Sequence, residues 1–329
     1  MDNKYYKLDL EDLEDLEDLG DSGKITVEKR RKNGVVEKRQ VKFKPLRFTK
    51  KNRDLILACI DIDSTYRRSF DEENPNSSAH YIVEWFGDKN KYENEYLKKS
   101  REEKIKIMFE VCYRLDKENS THLSVSSSTK GENANKGVEL MASAIVDKCV
   151  DKEGKSNILK ALETDTEGKI VYNISQFVSY QNKKNEDGND KIRNNLSFAS
   201  KFCTFMCRYA FDETDENHDK FSIYDSVLCN ILPYYMWKYQ KYLDEDKKLT
   251  KNMLTKDGKN SVANLTKDKG KGYRWYNDII SSILNGIKGE EKLEISREEF
   301  DLMLWYYYKG DNDLIDASYV YIKDKLNKL

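Results

Sequence analysis

Residues 195–208 read Asn195-Leu-Ser-Phe-Ala-Ser-Lys201-Phe-Cys-Thr-Phe-Met-Cys-Arg208, and after an acidic insert the chain resumes as Lys220-Phe-Ser-Ile-Tyr-Asp225-Ser-Val. The first stretch predicts a helix over 197–211. On a helical wheel Phe198, Phe202, Phe205, Met206 and Tyr209 share one face, and Ser197, Lys201, Thr204 and Arg208 form a polar stripe opposite. Lys201 then lies early on the helix, flanked by small side chains that leave its amine accessible. Asp225 stands just before an apolar-periodic run, where a carboxylate N-caps the next helix by accepting first-turn amides. On periodicity alone the two residues are a snorkelling lysine and an ordinary cap.

Outward from this stretch, the C-terminal third is aromatic and helical. A second helix is expected over 226–243, with Pro233 in its first two turns, where a missing N–H is tolerable. A Lys/Gly loop covers about 247–272, followed by a helix over 275–284. A last helical pair begins at Ser296, whose Arg-Glu-Glu continuation reads as a capped start. Upstream, apolar residues recur with helical spacing from Asp54 toward a turn at 71–75, at Ile105, Met108, Phe109, Cys112 and Leu115, and again at Val138, Met141, Ala142, Ile145, Val146 and Cys149. Ser120–Gly137 reads as a loop, and the polar run 183–190 as a domain boundary. Near the N-terminus, 25–32 and 35–43 flank Asn33-Gly34, the strongest short-range signal for a β-hairpin closed by a type I′ turn.

The chain has 329 residues, 58 Lys+Arg against 59 Asp+Glu, and a net charge of −1. That balance conceals strong local blocks, and a surface field depends on where charges sit. Residues 1–23 hold nine acids against two lysines, in a Leu-acid-acid repeat that spirals around a helix instead of forming a stripe. By composition this segment is a disordered arm, or one that covers the adjacent basic block and competes with a polyanion. Residues 24–53 hold thirteen basic side chains against two acids, and 247–274 nine against two. Either block is a solvated face or a polyanion contact. Aromatics make up 12 % of the chain, enough for a core despite 36 % charged residues. No apolar run approaches the ~20 residues a bilayer span needs. Six scattered cysteines without paired spacing suit reduced thiols, so a cytoplasmic location is expected.

The pattern Ser-Phe-Ala-Ser-Lys201, an apolar helix, then Phe-Ser-Ile-Tyr-Asp225-Ser resembles the bacterial relatives of 8-oxoguanine DNA glycosylase in the helix–hairpin–helix superfamily. Ser296-Arg-Glu-Glu-Phe-Asp-Leu-Met-Leu-Trp-Tyr-Tyr-Tyr-Lys-Gly310 is similar to that family's closing segment. The resemblance spans about residues 190–312. It implies a mainly α fold with a helix–hairpin–helix glycosylase-like domain, here over 191–329. The acidic arm (1–23), the basic hairpin (24–50) and a helical N-terminal region (51–190) would precede it. It implies a DNA N-glycosylase, with lyase activity at the abasic product, in which Lys201 is the nucleophile and Asp225 assists. A modified phage genome would be one substrate of this kind. An amine suits the chemistry because attack on the anomeric carbon expels the base and leaves a Schiff base. It must be unprotonated at neutral pH, which calls for desolvation or a helix N-terminus. The carboxylate would stabilise positive charge growing on the sugar. The expected partner is DNA with a damaged or modified base, contacted by Ser197, Ser200, Arg208, Arg30, Arg31, Lys32, Lys269, Lys271 and Arg274. Trp305 and Tyr306 would line the pocket for the flipped base, or pack in the core.

Two features depart from the family. Ser197, Phe198 and Ala199 stand where glycines usually let amides approach a phosphate, and the insert 211–219 lengthens the Lys-to-Asp spacing and adds five carboxylates. Both favour the alternative, a non-catalytic nucleic-acid-binding or interaction protein that keeps the fold. Cys203 and Cys207, with His218 and Cys229 beyond, read as buried thiols in preference to a zinc site. With no Gly-rich phosphate loop either, neither metal nor cofactor is expected.

Overall fold

The computed structural model describes residue 13 and residues 23–30, 35–62, 72–119, 135–176, 195–254 and 271–328. The protein is mainly helical with one two-stranded antiparallel sheet. In chain order the elements are β1 (Lys24–Arg30), β2 (Val36–Lys42), α1 (Lys50–Ile62) and α2 (Ser78–Ile82). Two π-helical segments follow, Val83–Gly87 and Tyr92–Tyr96, separated by a turn at Lys89–Lys91. Then come α3 (Arg101–Asn119), α4 (Lys136–Lys148), α5 (Ile158–Thr164), α6 (Lys169–Ser175), α7 (Leu196–Ala210), α8 (Ser226–Lys238), α9 (Lys271–Glu290), α10 (Arg297–Tyr308) and α11 (Asn312–Asn327). No helix among the described residues is long and apolar enough to cross a membrane.

Contacts divide the chain into two units, though not at 183–190, which lies outside the described residues. One unit joins Met1–Asp63, Asp225–Asp268 and Trp275–Leu329; the other joins Ser64–Tyr224 with Lys269–Arg274. The N-terminal hairpin and α1 therefore belong with the C-terminal helices. The reason is the short stretch after β2, where Phe43, Leu46 and Phe48 are fully buried. Phe43 packs edge-on against Tyr234, and Phe48 lies against Tyr235 and stacks on Phe300. The Phe43 amide still donates to the Gly23 carbonyl at 2.8 Å, but beyond it the buried amides and carbonyls must find partners outside the sheet. Tyrosine hydroxyls do this: Tyr308 OH accepts the Leu46 amide at 3.0 Å, Tyr235 OH donates to the Leu46 carbonyl at 2.9 Å, and Tyr307 OH donates to the Lys44 carbonyl at 2.6 Å. With Tyr235 and Tyr308 hydroxyls 3.0 Å apart, a single proton order, Tyr308 to Tyr235 to Leu46, satisfies the whole ring of bonds. The ends of this stretch are also held by charge, since Glu291 takes Arg47 and Lys238, each at 3.3 Å.

The hairpin forms, but not in the register of a two-residue Asn33-Gly34 loop. That loop pairs Lys32 with Val35 and hence Arg30 with Glu37, whereas Arg30 pairs with Val36 and Lys24 with Lys42. Five residues, 31–35, separate the last paired positions, and the shift by one residue turns the other face of β2 inward. Asn33-Gly34 itself, with Arg31 and Lys32, lies outside the described residues. Ile25 and Val27 are buried, and on the same face Lys29 and Arg39 both reach Asp313 of α11, at 3.5 and 3.3 Å. Of the acidic arm only Leu13 is described, and it is buried.

Two helices differ in length from expectation. α8 ends at Lys238, and Gln240–Tyr242 forms a separate 3₁₀ turn. Pro233 is its eighth residue, past the turn where a missing N–H costs nothing. α9 runs from Lys271 to Glu290, well past the 275–284 expected. α10 opens with the expected capping box, the Ser296 and Glu299 side chains each accepting the other's backbone amide.

In the other unit, Phe86, Tyr92 and Tyr96 form a ring cluster with centroids 4.9–5.7 Å apart, and Phe198 stacks on Phe202. All six cysteines are free.

Because Phe presents no acceptor to the Leu46 amide, Tyr308→Phe should destabilise the protein by about 1–3 kcal/mol, the cost of one orphaned buried donor. Equilibrium urea unfolding measures this; an unchanged midpoint would mean that the hydroxyl ring contributes nothing.

Candidate functional site

Around Lys201 the chain is built from α7 and the segment that returns along it. Asn195 caps α7, its side chain accepting the Phe198 amide at 3.2 Å, and its own amide donates to the Ser175 carbonyl at the end of α6. Leu196–Ser200 are already helical, so Lys201 sits on the second turn of a continuous helix, preceded by no glycine turn. Lys201 is half-buried, and Nζ donates to the Asn119 carbonyl at 3.3 Å. Asn119 is the last described residue of α3.

The polar stripe of α7 is covered as well as its apolar face, because the returning segment 221–224 lies on it. Thr204 Oγ1 donates to the Phe221 carbonyl at 3.3 Å, and the fully buried Ser200 Oγ accepts the Tyr224 amide at 2.9 Å. Tyr273 clamps the middle, accepting the Ser222 amide at 3.0 Å and donating to the Ser222 carbonyl at 2.7 Å. Gly168 makes room for that ring: its φ is +67°, and a Cβ there would meet Tyr273 Cδ1 at 2.7 Å. The residue before Lys201 is thus hydrogen-bonded to the residue before Asp225. Asp225, the first residue of the other unit's middle segment, caps α8 as expected; it is extended and buried, and its carboxylate accepts the Leu228 amide at 2.9 Å.

The insert 211–219 folds on itself. Asp215 accepts the Asn217 backbone and side-chain amides at 2.8 Å, and the His218 ring lies 3.1 Å from the Phe211 carbonyl. Lys220 Nζ ties its end to the Leu162 and Glu163 carbonyls in the last turn of α5. Asp212, Glu213, Asp215 and Glu216 remain exposed. A cleft of about 470 Å³ opens beside the insert, with Tyr92, Leu97, Leu159, Phe211 and Asp212 in its wall. None of the site residues expected from sequence lines it.

The remaining expected DNA contacts are dispersed. Ser200 is buried and its hydroxyl is spent inside the fold, so it presents nothing to a ligand. Arg208 is 8 % exposed, with its guanidinium over the Phe205 ring, which likewise removes it from the surface. Ser197 is half-buried. Arg274 is exposed, 3.9 Å from Glu167. Arg30 ends β1, Lys271 begins α9, and Lys269 lies outside the described residues. Trp305 and Tyr306 are half-buried on α10, and Lys309 Nζ sits 3.2 Å over the Trp305 ring. Desolvation of that ammonium pushes its pKa down to about 8, although the side chain as a whole is exposed; the negative ring face works the other way. Tyr307 and Tyr308 belong to the core. Cys203, Cys207 and Cys229 are buried, and burial pushes the Cys207 thiol up to about 12. That opposes the thiolate a metal needs.

Glu118, next to Asn119, holds the start of α2: its carboxylate accepts the Ser78 amide at 2.8 Å and the Ser78 hydroxyl. Burial pushes this carboxyl up to about 7.

Comparison with family models, with curated proteins and with solved structures finds no match for this chain.

Sequence reading missed Tyr273, whose partner lies 51 residues away, and the Asn119 carbonyl that receives Lys201. No local signal marks either contact.

With its carboxyl at about 7 in the fold against an ordinary 4.5, Glu118 binds its proton more tightly when folded. Its contribution is full below about pH 4.5 and is lost as pH rises to about 7. Glu118→Gln keeps an acceptor for Ser78 and should flatten the fall in stability across that window. Thermal melts at pH 4.5 to 8 test this, and equal slopes in wild type and variant would refute it.

Proposed function

We propose that the protein is a DNA N-glycosylase acting on a damaged or modified base, with Lys201 as nucleophile and Asp225 as the assisting carboxylate. What supports this reading is the Ser200–Tyr224 hydrogen bond, which joins the residues that precede the two functional ones. The order is that of the resemblance: a lysine on one helix, then an aspartate capping the next. In the reaction, the Nζ lone pair bonds to C1′ of the sugar while the C1′–N bond breaks. Its electron pair leaves with the base, which takes up a proton. Loss of an amine proton and opening of the sugar ring give a Schiff base at C1′. The Asp225 carboxylate stabilises the positive charge that develops on the sugar. The hydrogen bond from Nζ to the Asn119 carbonyl uses one N–H and leaves the lone pair of the neutral amine free to attack.

The same bond favours a second reading, a nucleic-acid-binding or interaction protein without chemistry in which Lys201 only holds the Asn119 carbonyl.

Borohydride trapping separates the two. Incubated with duplexes carrying a panel of base lesions, wild type should form a covalent adduct and Lys201→Ala none. Asn caps helices as well as Asp does, so Asp225→Asn should leave thermal stability nearly unchanged and slow trapping about tenfold or more. No adduct from wild type on any lesion would leave the binding reading.

A further inference from the structure

The acidic insert after α7 has no part in the chemistry proposed for Lys201, yet it completes a cleft large enough for a ligand. Four pieces of one unit make its wall: the π-helical segments Val83–Gly87 and Tyr92–Tyr96, the first two turns of α5, and the chain from Ala210 into the insert. π-Helical turns are rare and recur at functional sites, and here two of them meet at one cavity. Gly87 lets the first come close against the end of α7, since a Cβ there would stand 3.1 Å from the Tyr209 carbonyl oxygen. The cleft measures about 470 Å³, within the range of small-molecule sites, and Tyr92, Leu97, Leu159 and Phe211 give it an apolar wall. The Tyr92 hydroxyl donates to the Asn157 side chain at 2.9 Å, which fixes that ring. Four carboxylates, Glu93, Glu163, Asp212 and Asp215, line the cleft against two ammonium groups, Lys89 and Lys160. Glu163 takes Lys160 at 2.7 Å. Glu93, Asp212 and Asp215 have no ion pair among the described residues, so the cleft keeps an excess of negative charge.

We propose that this cleft binds a linear polyamine, its methylene chain along the apolar wall and its ammonium groups at Glu93, Asp212 and Asp215. An excess of carboxylates in a cleft concentrates cations and turns phosphate-bearing ligands away. Among the described residues no three carboxylate, imidazole or thiol groups come together as a metal site, so the charge calls for a ligand whose cationic centres are spread apart. The apolar wall calls for hydrocarbon between those centres. Ammonium groups separated by short runs of methylenes meet both demands. Neither Lys201 nor Asp225 lines the cleft, so the site is separate from the proposed glycosylase chemistry.

Isothermal titration calorimetry of the full chain with spermidine is the test. One molecule should bind per chain, with an affinity that falls as salt rises. Glu93 and Asp212 are exposed, and their side chains make no hydrogen bond or ion pair among the described residues. Glu93→Gln/Asp212→Asn should therefore leave thermal stability unchanged and weaken spermidine binding about tenfold. Glu213→Gln/Glu216→Gln removes the same charge from exposed positions of the insert that do not line the cleft, and should change the affinity little. Hexaamminecobalt(III) carries the same charge as spermidine without methylenes and should compete poorly, because the apolar wall gives it nothing. No binding of spermidine, equal losses in the two double variants, or equal competition by the cobalt complex overturns the proposal. Lys201→Ala should bind spermidine as wild type does, so this result and borohydride trapping are read independently.

Discussion

A peptide group moved from water into an apolar core must find a hydrogen-bond partner or cost several kcal/mol, and beyond Phe43, whose amide bonds to Gly23, the stretch to Phe48 meets that demand without a sheet. Its three large side chains are fully buried, so its backbone goes in with them. Tyr235, Tyr307 and Tyr308 supply the partners from α8 and α10. This explains why the unit draws on both ends of the chain. The apolar side chains bring the N-terminal stretch to the C-terminal helices, and the hydroxyls make its burial affordable. Once it is anchored, the hairpin before it is carried onto α11, and α1 after it is carried onto α10.

The other unit solves the same problem around α7. The returning segment 221–224 lies against a helix and belongs to no strand among the described residues. Thr204, Ser200 and Tyr273 bond to Phe221, Tyr224 and Ser222 respectively. The polar stripe of α7 is therefore a hydrogen-bonding surface for the chain itself. Burial there does not conflict with polarity, because the Thr204 and Ser200 hydroxyls are hydrogen-bonded to the segment that covers them.

Much of this was legible in local patterns. Helical spacing at Ile105–Leu115 and Val138–Cys149 foretold α3 and α4, and the Asp225 and Ser296 caps follow from one side chain meeting amides two or three residues on. What escaped were the long-range partners. The wheel for α7 placed Thr204 and Arg208 opposite the apolar face but could not reveal that a second segment bonds to Thr204 or that Arg208 is buried. Asn33-Gly34 foretold a hairpin correctly, yet register is settled by which face of β2 must meet α11, a tertiary choice. The joining of the N-terminal stretch to the C-terminal helices has no local mark for the same reason: Phe43, Leu46 and Phe48 give no periodic signal, and their partners lie some 190–260 residues away.

Lys201 shows how position and chemistry pull on one side chain. The half-buried amine donates to the Asn119 carbonyl of α3 at 3.3 Å. Donation through one N–H leaves the lone pair of a neutral amine in another tetrahedral direction, so the bond to Asn119 is compatible with the proposed role as nucleophile, and the flexible four-carbon stem lets Nζ turn without moving α7. The helix holds the Cα fixed through Ser200 and Thr204, and the stem alone moves. What the fold contributes to either role is therefore the same: a rigid helix whose next-door residue is tied to the one that precedes Asp225.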